Sequence, residues 1–315
     1  MSNLALNTND AKHERVCAVV VAYNRQALLR ECLSALQAQT RSVDLILVVN
    51  NASTDGTAEM VTADFPRITL LNLKENIGGA GGFYEGMKWA YEQGYDWLWL
   101  MDDDARAMPD CLEKLLAQRR PNTGVLVPIQ RDSGGRLYGI SEWRKHQYDV
   151  TEEIVAQKQA RSGNFVFTFV GPLIAREIVT QIGLPNKDFF IWFDDHEYAL
   201  RIKSRTQAEI VAVPDAVFLH NFFGQIREVS LFGRRSTRST QAAWKTYYGT
   251  RNQIYTLTRM GRSPRELLTY SSVQLRYLLG EAVYEPDRWE RVKLRLQGVW
   301  DGIFGRLGKR VSPKK

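Results

Sequence analysis

The stretch Trp97–Leu98–Trp99–Leu100–Met101–Asp102–Asp103–Asp104–Ala105 carries the key to this chain. Five apolar residues run on without alternation. They predict a strand buried on both faces, as in a parallel sheet covered by helices. Three carboxylates follow at its carboxyl end. In extended backbone Asp102 and Asp104 point one way and Asp103 the other. Like charges this close raise one another's pKa unless a cation sits between them. Two carboxylates on one side can hold a hard divalent cation, which can bridge diphosphate oxygens. Parallel sheets bind ligands at the carboxyl ends of their strands, where this triplet sits. A solvated acidic turn is the plainer alternative.

The same pattern extends outward. Cys17–Tyr23 (CAVVVAY), Leu45–Asn50 (LILVVN), Ile68–Leu73 (ITLLNL) and Gly124–Ile129 (GVLVPI) read as further buried strands. Leu28, Leu29, Cys32 and Leu36 recur at helical spacing after the first. A second helix is expected to start near Ser53, Thr54 and Asp55. A Gly-rich turn leads into a third, Phe83 to Tyr91. The fold class is therefore α/β, a mostly parallel sheet flanked by helices. Beyond about Gly134 the expected elements are a strand at Phe165–Gly171, a short helix at Ala175–Gly183, a helix at Glu197–Ile202 and a strand at Glu209–Pro214. From Gln241 two or three helices follow. This divides the chain into a flexible 1–14, a catalytic domain 15–240 (halves 15–130 and 131–240) and a helical region 241–315.

Composition narrows the class. The 315 residues are 44% hydrophobic and 24% charged, which fits a globular enzyme and not a disordered chain. Three Cys without CxxC spacing read as reduced thiols of a cytosolic protein. No apolar run reaches membrane-spanning length, and the polar N-terminus does not read as a signal peptide. The expected location is cytoplasmic, with peripheral attachment to the inner face of the cell membrane as an option. The net charge is +7, and residues 287–315 hold nine Lys or Arg against three acids. Such a tail suggests an anionic partner. Its last helix places Trp289, Val292, Leu296, Trp300, Ile303 and Leu307 on one face and Arg288, Arg291 and Arg295 on another. It either lies on an anionic membrane through 287–310 or packs on the catalytic domain. Nucleic acid is excluded as a partner, because the acidic clusters would repel phosphates.

Other segments carry candidate chemistry. Arg25, after the first strand, can hydrogen-bond a base or phosphate and Tyr23 can pack on a ring; a capping Asn24 with a solvated Arg25 is the alternative. Asn76–Ile77–Gly78–Gly79–Ala80–Gly81–Gly82 permits close backbone approach, or is a tight turn. Trp192–Phe193–Asp194–Asp195–His196–Glu197 supplies carboxylates for acid–base work, or a charged helix start in which Glu197 serves the dipole. His220 ends a strand-like run. Phe222–Thr240, with Arg234, Arg235 and Arg238, reads as a mobile polar loop. Tyr247, Tyr248, Arg251 and Asn252 sit on a helix, facing an acceptor or packing.

VVVAYNR, VVNNASTDGT, NIGGAGGF, LMDDDA and WFDDHE, with LHN after them, stand in an order and spacing that resembles the family 2 (GT-A fold) inverting glycosyltransferases. NIGGAGGF with WFDDHE looks most like the galactofuranosyltransferases. That resemblance implies galactofuranose transfer from UDP-galactofuranose to a glycan or lipid-linked acceptor, in cell-surface polysaccharide synthesis. It implies Asp195 as catalytic base and Trp192, Asp194 and Glu197 around the acceptor or sugar. Tyr23, Arg25, Asn51, Asn76, Gly78, Gly79, Asp102 and Asp103 would hold the donor. Asp102, Asp104 and His220 would hold Mn²⁺ or Mg²⁺, an imidazole favouring Mn²⁺. The chain departs from the family at Asn51, where Asp is usual. The rivals are a rhamnosyltransferase using dTDP-rhamnose, a nucleotidyltransferase releasing pyrophosphate, and a binding module.

Overall fold

The computed structural model describes residues 13–142, 148–220, 226–231, 234–239, 241–260 and 264–312. The elements to the end of the first half are β1 (Val16–Ala22), α1 (Gln26–Gln37), β2 (Leu45–Asn50), α2 (Thr57–Asp64), β3 (Thr69–Asn72), α3 (Gly78–Glu92), β4 (Trp97–Asp102), β5 (Arg106–Ala107), α4 (Cys111–Ala117) and β6 (Thr123–Arg131). Then come β7 (Leu137–Tyr138), β8 (Ile140–Glu142), β9 (Tyr148–Asp149), α5 (Thr151–Gln157), β10 (Arg161–Ser162), β11 (Phe165–Phe167), β12 (Leu173–Ala175), α6 (Arg176–Ile182), α7 (Asp194–Arg205) and β13 (Glu209–Leu219). A hairpin, β14 (Ile226–Leu231) and β15 (Arg234–Ser239), precedes α8 (Ala243–Arg259), α9 (Pro264–Tyr284) and α10 (Arg288–Ile303).

The main sheet runs β10-β13-β6-β12-β4-β1-β2-β3. β3, β2, β1 and β4 are parallel, while β12 enters antiparallel between β4 and β6. The α/β class is as the sequence predicts. Every residue of β1 is buried, so helices cover both of its faces. Register sets the site: Ala22 pairs with Asn50 and Val21 with Asp102. Three strands therefore end level, and the loops after them converge.

The structure revises several expectations. The glycine run is not a turn before the helix but the first turn of α3 itself. Glycine costs a helix about 1 kcal/mol per residue, which hides the helix from a propensity reading. Packing explains it: a Cβ on Gly82 would lie 2.5 Å from Val21 Cγ1, so α3 rests directly on β1. The strand expected at Phe165–Gly171 ends at Phe167, and an unforeseen strand, β12, precedes the short helix expected from Ala175, which is α6. The loop expected at Phe222–Thr240 is the β14–β15 hairpin; residues 222–225, 232–233 and 240 lie outside the described residues. Of the expected flexible segment 1–14, only His13 and Glu14 are described. They bond to Asp44 at 2.7 Å and to the Trp97 indole at 2.9 Å. All three cysteines are buried and free.

The last helix sits the opposite way round from a simple amphipathic reading. Arg291, Leu294, Arg295, Gly298, Asp301 and Gly302 face inward on α10. Trp289, Leu296, Trp300 and Ile303 face outward, Trp289 at 77% exposure. Two local causes decide this. A Cβ on Gly298 or Gly302 would lie 2.7 Å from the Tyr247 or Arg251 carbonyl oxygen, so α8 and α10 pack backbone to backbone. Arg295 meets Glu281 through Nε and Nη2 at 2.7 Å, and Arg291 meets Asp287 at 2.6 Å. Buried charges with such partners are tolerated where lone ones are not. The basic tail is thus partly neutralised from within, since Arg306 and Arg310 also lie beside Asp301. Among the described residues no helix is long and apolar enough to cross a membrane.

Candidate active site

Of the residues that the resemblance assigns to donor, metal, acceptor and base, all except Glu197 line one open cavity of about 600 Å³ at the carboxyl ends of β1, β2 and β4. A larger groove of about 950 Å³ lies elsewhere, between Arg119–Gly124 and Arg205–Ala208. Among the described residues the one cluster able to hold a metal is in the smaller cavity.

The strand ends at Asp102 and the next two residues form a turn, not the extended run expected, yet Asp102 and Asp104 still come together. Asp103 turns away and its Oδ2 accepts the Tyr23 N–H at 2.9 Å. Arg25 donates to Asp103 at 3.4 Å and also to Asp104. Asp103 thus fixes the first loop and does not face a donor freely. Asp102, Asp104 and His220 present ligand atoms within 4.8 Å of one another. Asp104 Oδ1 is buried, makes no hydrogen bond, and lies 3.2 Å from His220 Nε2. An orphaned carboxylate oxygen facing an imidazole, with a second carboxylate beside it, suits a divalent cation. Tyr138 adds support that the sequence did not signal: its hydroxyl lies 3.0 Å from His220 Nδ1 and orients the ring.

Electrostatics agree with a site short of positive charge. Burial, then the Asp104 charge, pushes the Asp102 carboxyl up to about 8. Burial also raises Asp103 to about 6, against the pull of Arg25. For Asp104 burial is outweighed by the His220 contact and by the charges of His220 and Arg25, so it stays below the usual range.

The first three loops are tied together. The Asn24 side chain accepts the Thr54 N–H at 2.7 Å, and Asp55 accepts those of Gln26 and Thr57. Asn24 therefore tethers the second loop and does not cap α1. Asn76 accepts the Gly78 N–H at 2.8 Å. Gly78 has φ +79°, and a Cβ there would meet the Phe190 carbonyl oxygen at 1.9 Å, so only glycine fits. Asn51 departs from the expectation of an acceptor open to a nucleobase. Its Oδ1 accepts the Ile77 N–H and its Nδ2 donates to the Gly78 carbonyl, both at 3.0 Å. A carboxylate there would face the Gly78 oxygen with no proton to share. The amide is the group that suits both partners.

The second acidic cluster follows a turn with unusual backbone. Phe190, Trp192 and Phe193 all have φ between +66° and +69°. Non-glycine residues hold such angles only where neighbours enforce them. The neighbours are on α8. Asn252 Nδ2 reaches the carbonyls of Phe189, Ile191 and Trp192. Arg251 reaches those of Asp188 and Phe189. Tyr247, Tyr248, Arg251 and Asn252 are all fully buried, so they pack and do not face an acceptor. The turn delivers Asp194 and Asp195 into the first turn of α7. Burial, and next the Asp195 charge, raises the Asp194 carboxyl well above its ordinary value. Asp195 Oδ1 accepts from the His196 N–H at 2.7 Å. Glu197 turns out of the cavity into a two-pronged pair with Arg201, 3.0 and 2.9 Å. It braces α7, since Arg201 also bonds the Ile182 and Leu184 carbonyls, and so an acceptor contact is not where its carboxylate points. Sequence reasoning missed Phe190, Trp244 and Lys245, which line the same cavity.

A family model described as Glycosyl transferase family 2 matches residues 17–183. Galactofuranosyltransferase GlfT1 of Mycolicibacterium smegmatis is 31% identical over 261 residues, 79% of this chain and 84% of that protein. GlfT1 of Mycobacterium tuberculosis is 30% identical over 314 residues, 94% of this chain and 98% of that protein. The dTDP-rhamnosyl transferase RfbF of Shigella flexneri is 25% identical over 304 residues, 94% of this chain and 98% of its own length. Among solved structures, GalNAc-T7 with UDP, GalNAc and Mn²⁺ superimposes with a TM-score of 0.61 at 14% identity over 92% of this chain. The chain spans 55% of that longer protein, and at this identity the likeness concerns the fold alone.

Proposed function

The chain belongs to glycosyl transferase family 2 and has a GT-A-like fold, and on that premise we propose that it transfers galactofuranose from UDP-galactofuranose, with inversion, to a glycan or lipid-linked acceptor. One observation carries the chemistry. A single cavity is lined both by the Asp102–Asp104–His220 cluster and by Asp194 and Asp195. Inverting transfer needs a base at the acceptor hydroxyl and charge stabilisation at the departing diphosphate.

In this reading Asp195 takes the hydroxyl proton as the acceptor oxygen bonds to the anomeric carbon and the bond from that carbon to the diphosphate oxygen breaks. Asp194, whose carboxyl is pushed well above its ordinary value by burial and the neighbouring Asp195 charge, orients a sugar hydroxyl. Trp192 covers a sugar face. Arg25, Tyr23 and the Asn76–Gly79 segment hold the nucleotide. A divalent cation held by Asp102, Asp104 and His220 would supply Lewis-acid stabilisation of the leaving group. Residues 15–240 form the catalytic domain in this reading, and 241–315 brace it. The exposed Trp289 and Trp300 face of α10 is the surface for peripheral membrane contact, on the cytoplasmic side.

The second reading keeps the chemistry and changes the donor to dTDP-rhamnose, supported by the Shigella relative. Incubation with UDP-galactofuranose, UDP-galactopyranose and dTDP-rhamnose in Mn²⁺, followed by mass spectrometry of product and nucleotide, tests both. Turnover of dTDP-rhamnose alone sinks the galactofuranose reading. Pyrophosphate in place of UDP would turn the protein into a nucleotidyltransferase.

A further inference from the structure

Helix α8 starts at the cavity, where Gln241, Ala242, Trp244 and Lys245 form part of the wall. Lys245 is only partly exposed. Among the described residues no carboxylate lies within ion-pair distance of it. Its ammonium sits 5.8 Å from the Trp192 ring centroid and 5.7 Å from that of Trp244. Arg25, a second cation of the cavity, is held by Asp103 and Asp104, and Asp104 also lies beside His220. Lys245 is thus a half-buried cation held between aromatic faces.

We propose that Lys245 is a leaving-group residue that binds the phosphate oxygens of the donor diphosphate. The inference rests on the nucleotide-sugar reading above and assigns a second cation to it. A diphosphate gains charge as the bond from the anomeric carbon to its oxygen breaks, and an ammonium held ready in a partly dehydrated site stabilises that charge. The start of a 17-residue helix adds a favourable dipole at the same end. Burial, and next the Arg25 charge, already lowers the Lys245 pKa, which an arriving anion would reverse. A compact ammonium suits a phosphate at this position. Trp192 then has two uses, one face for a sugar and contact with the cation that holds the phosphate.

The test compares wild type, Lys245→Met and Lys245→Arg in calorimetric titrations with uridine and with UDP in Mn²⁺, alongside steady-state kinetics and thermal melts. Lys245→Met should weaken UDP binding by about 10- to 100-fold, the loss of one charged hydrogen bond, and leave uridine binding unchanged. It should lower kcat more than it raises the acceptor KM, and Lys245→Arg should recover part of both. Unchanged UDP binding with only a raised acceptor KM would overturn the proposal and move Lys245 to a phosphate on the acceptor. Equal losses for uridine and UDP would overturn it in favour of a structural role. Should Lys245→Met not fold, Lys245→Gln gives the same comparison. If wild type binds neither UDP nor dTDP, it is the parent reading that fails, and Lys245 is not then the cause.

Discussion

Asn252 Nδ2 lies 2.7 Å from the main-chain oxygen of Trp192, and the same amide reaches Ile191 and Phe189 at 2.9 and 3.0 Å. A helix outside the sheet thereby holds the turn that presents the proposed base. Replacing Asn252 with Leu leaves buried carbonyls unpaired, at a cost of about 1–3 kcal/mol. It also lets Asp195 move, and misplacement of a catalytic group by about 1 Å can cost roughly 100-fold. The expected result is a lower melting temperature and a kcat reduced by about that factor, with UDP affinity little changed. A variant with full kcat would show that the turn holds its shape unaided.

Asp195→Asn should remove the proton acceptor. A general base contributes about 10²- to 10⁴-fold, so turnover should fall at least that far while UDP binding stays near wild type. Glu197→Gln provides the contrast. It breaks the Arg201 pair and should destabilise the fold without a selective loss of kcat. Equal kcat losses with equal destabilisation in both variants would remove Asp195 from the chemistry.

Much of this site is legible in the sequence because its parts are local. A buried strand followed by three Asp can be read residue by residue, and the structure groups Asp102, Asp104 and His220 as expected. What escaped depends on contacts distant in sequence. Tyr138 carries no signal of its own, and Asn252 could be placed on a helix but not on its partner: they matter through His220 and Trp192, some 60 to 80 residues away. Glu197 misled because a carboxylate beside two others looks like site chemistry, whereas Arg201 four residues on claims it. The apolar stripe of α10 misled for a similar reason. Apolar residues usually face inward, but two glycines and two paired arginines decided its orientation.

The raised Asp102 carboxyl predicts a pH-dependent response to metal. Without a cation the folded chain keeps a proton that the unfolded chain loses near the ordinary carboxyl value of 3.8, so Asp102 makes stability fall as pH rises towards about 8. Asp103, raised to about 6, adds to the lower part of that window, whereas Asp104, held low, titrates beneath it. Cation binding displaces the proton and is disfavoured where the proton is held. The rise in melting temperature caused by Mn²⁺ should therefore grow between pH 6 and 8. A rise independent of pH would mean that Asp102 is not a ligand.

The outward face of α10 makes a separate prediction. Trp289 and Trp300 are 77% and 55% exposed, and exposed aromatic residues of this kind anchor helices at lipid interfaces. Replacing both with Ser should reduce co-sedimentation with anionic vesicles several-fold and leave turnover of a water-soluble acceptor intact. Identical sedimentation of the two proteins would eliminate this face as a membrane contact.

The inward arginines also set the mechanics of the C-terminal region. With Arg295 locked to Glu281 and α10 seated on α8 through glycine, neither helix can roll without separating buried charges. α8 in turn grips the Trp192 turn through Asn252. Outer face, strut and the Trp192 turn thus form a rigid lever. Whatever docks against Trp289 would move the cavity as a whole, setting its height and tilt over the docking surface while its interior shape stays the same.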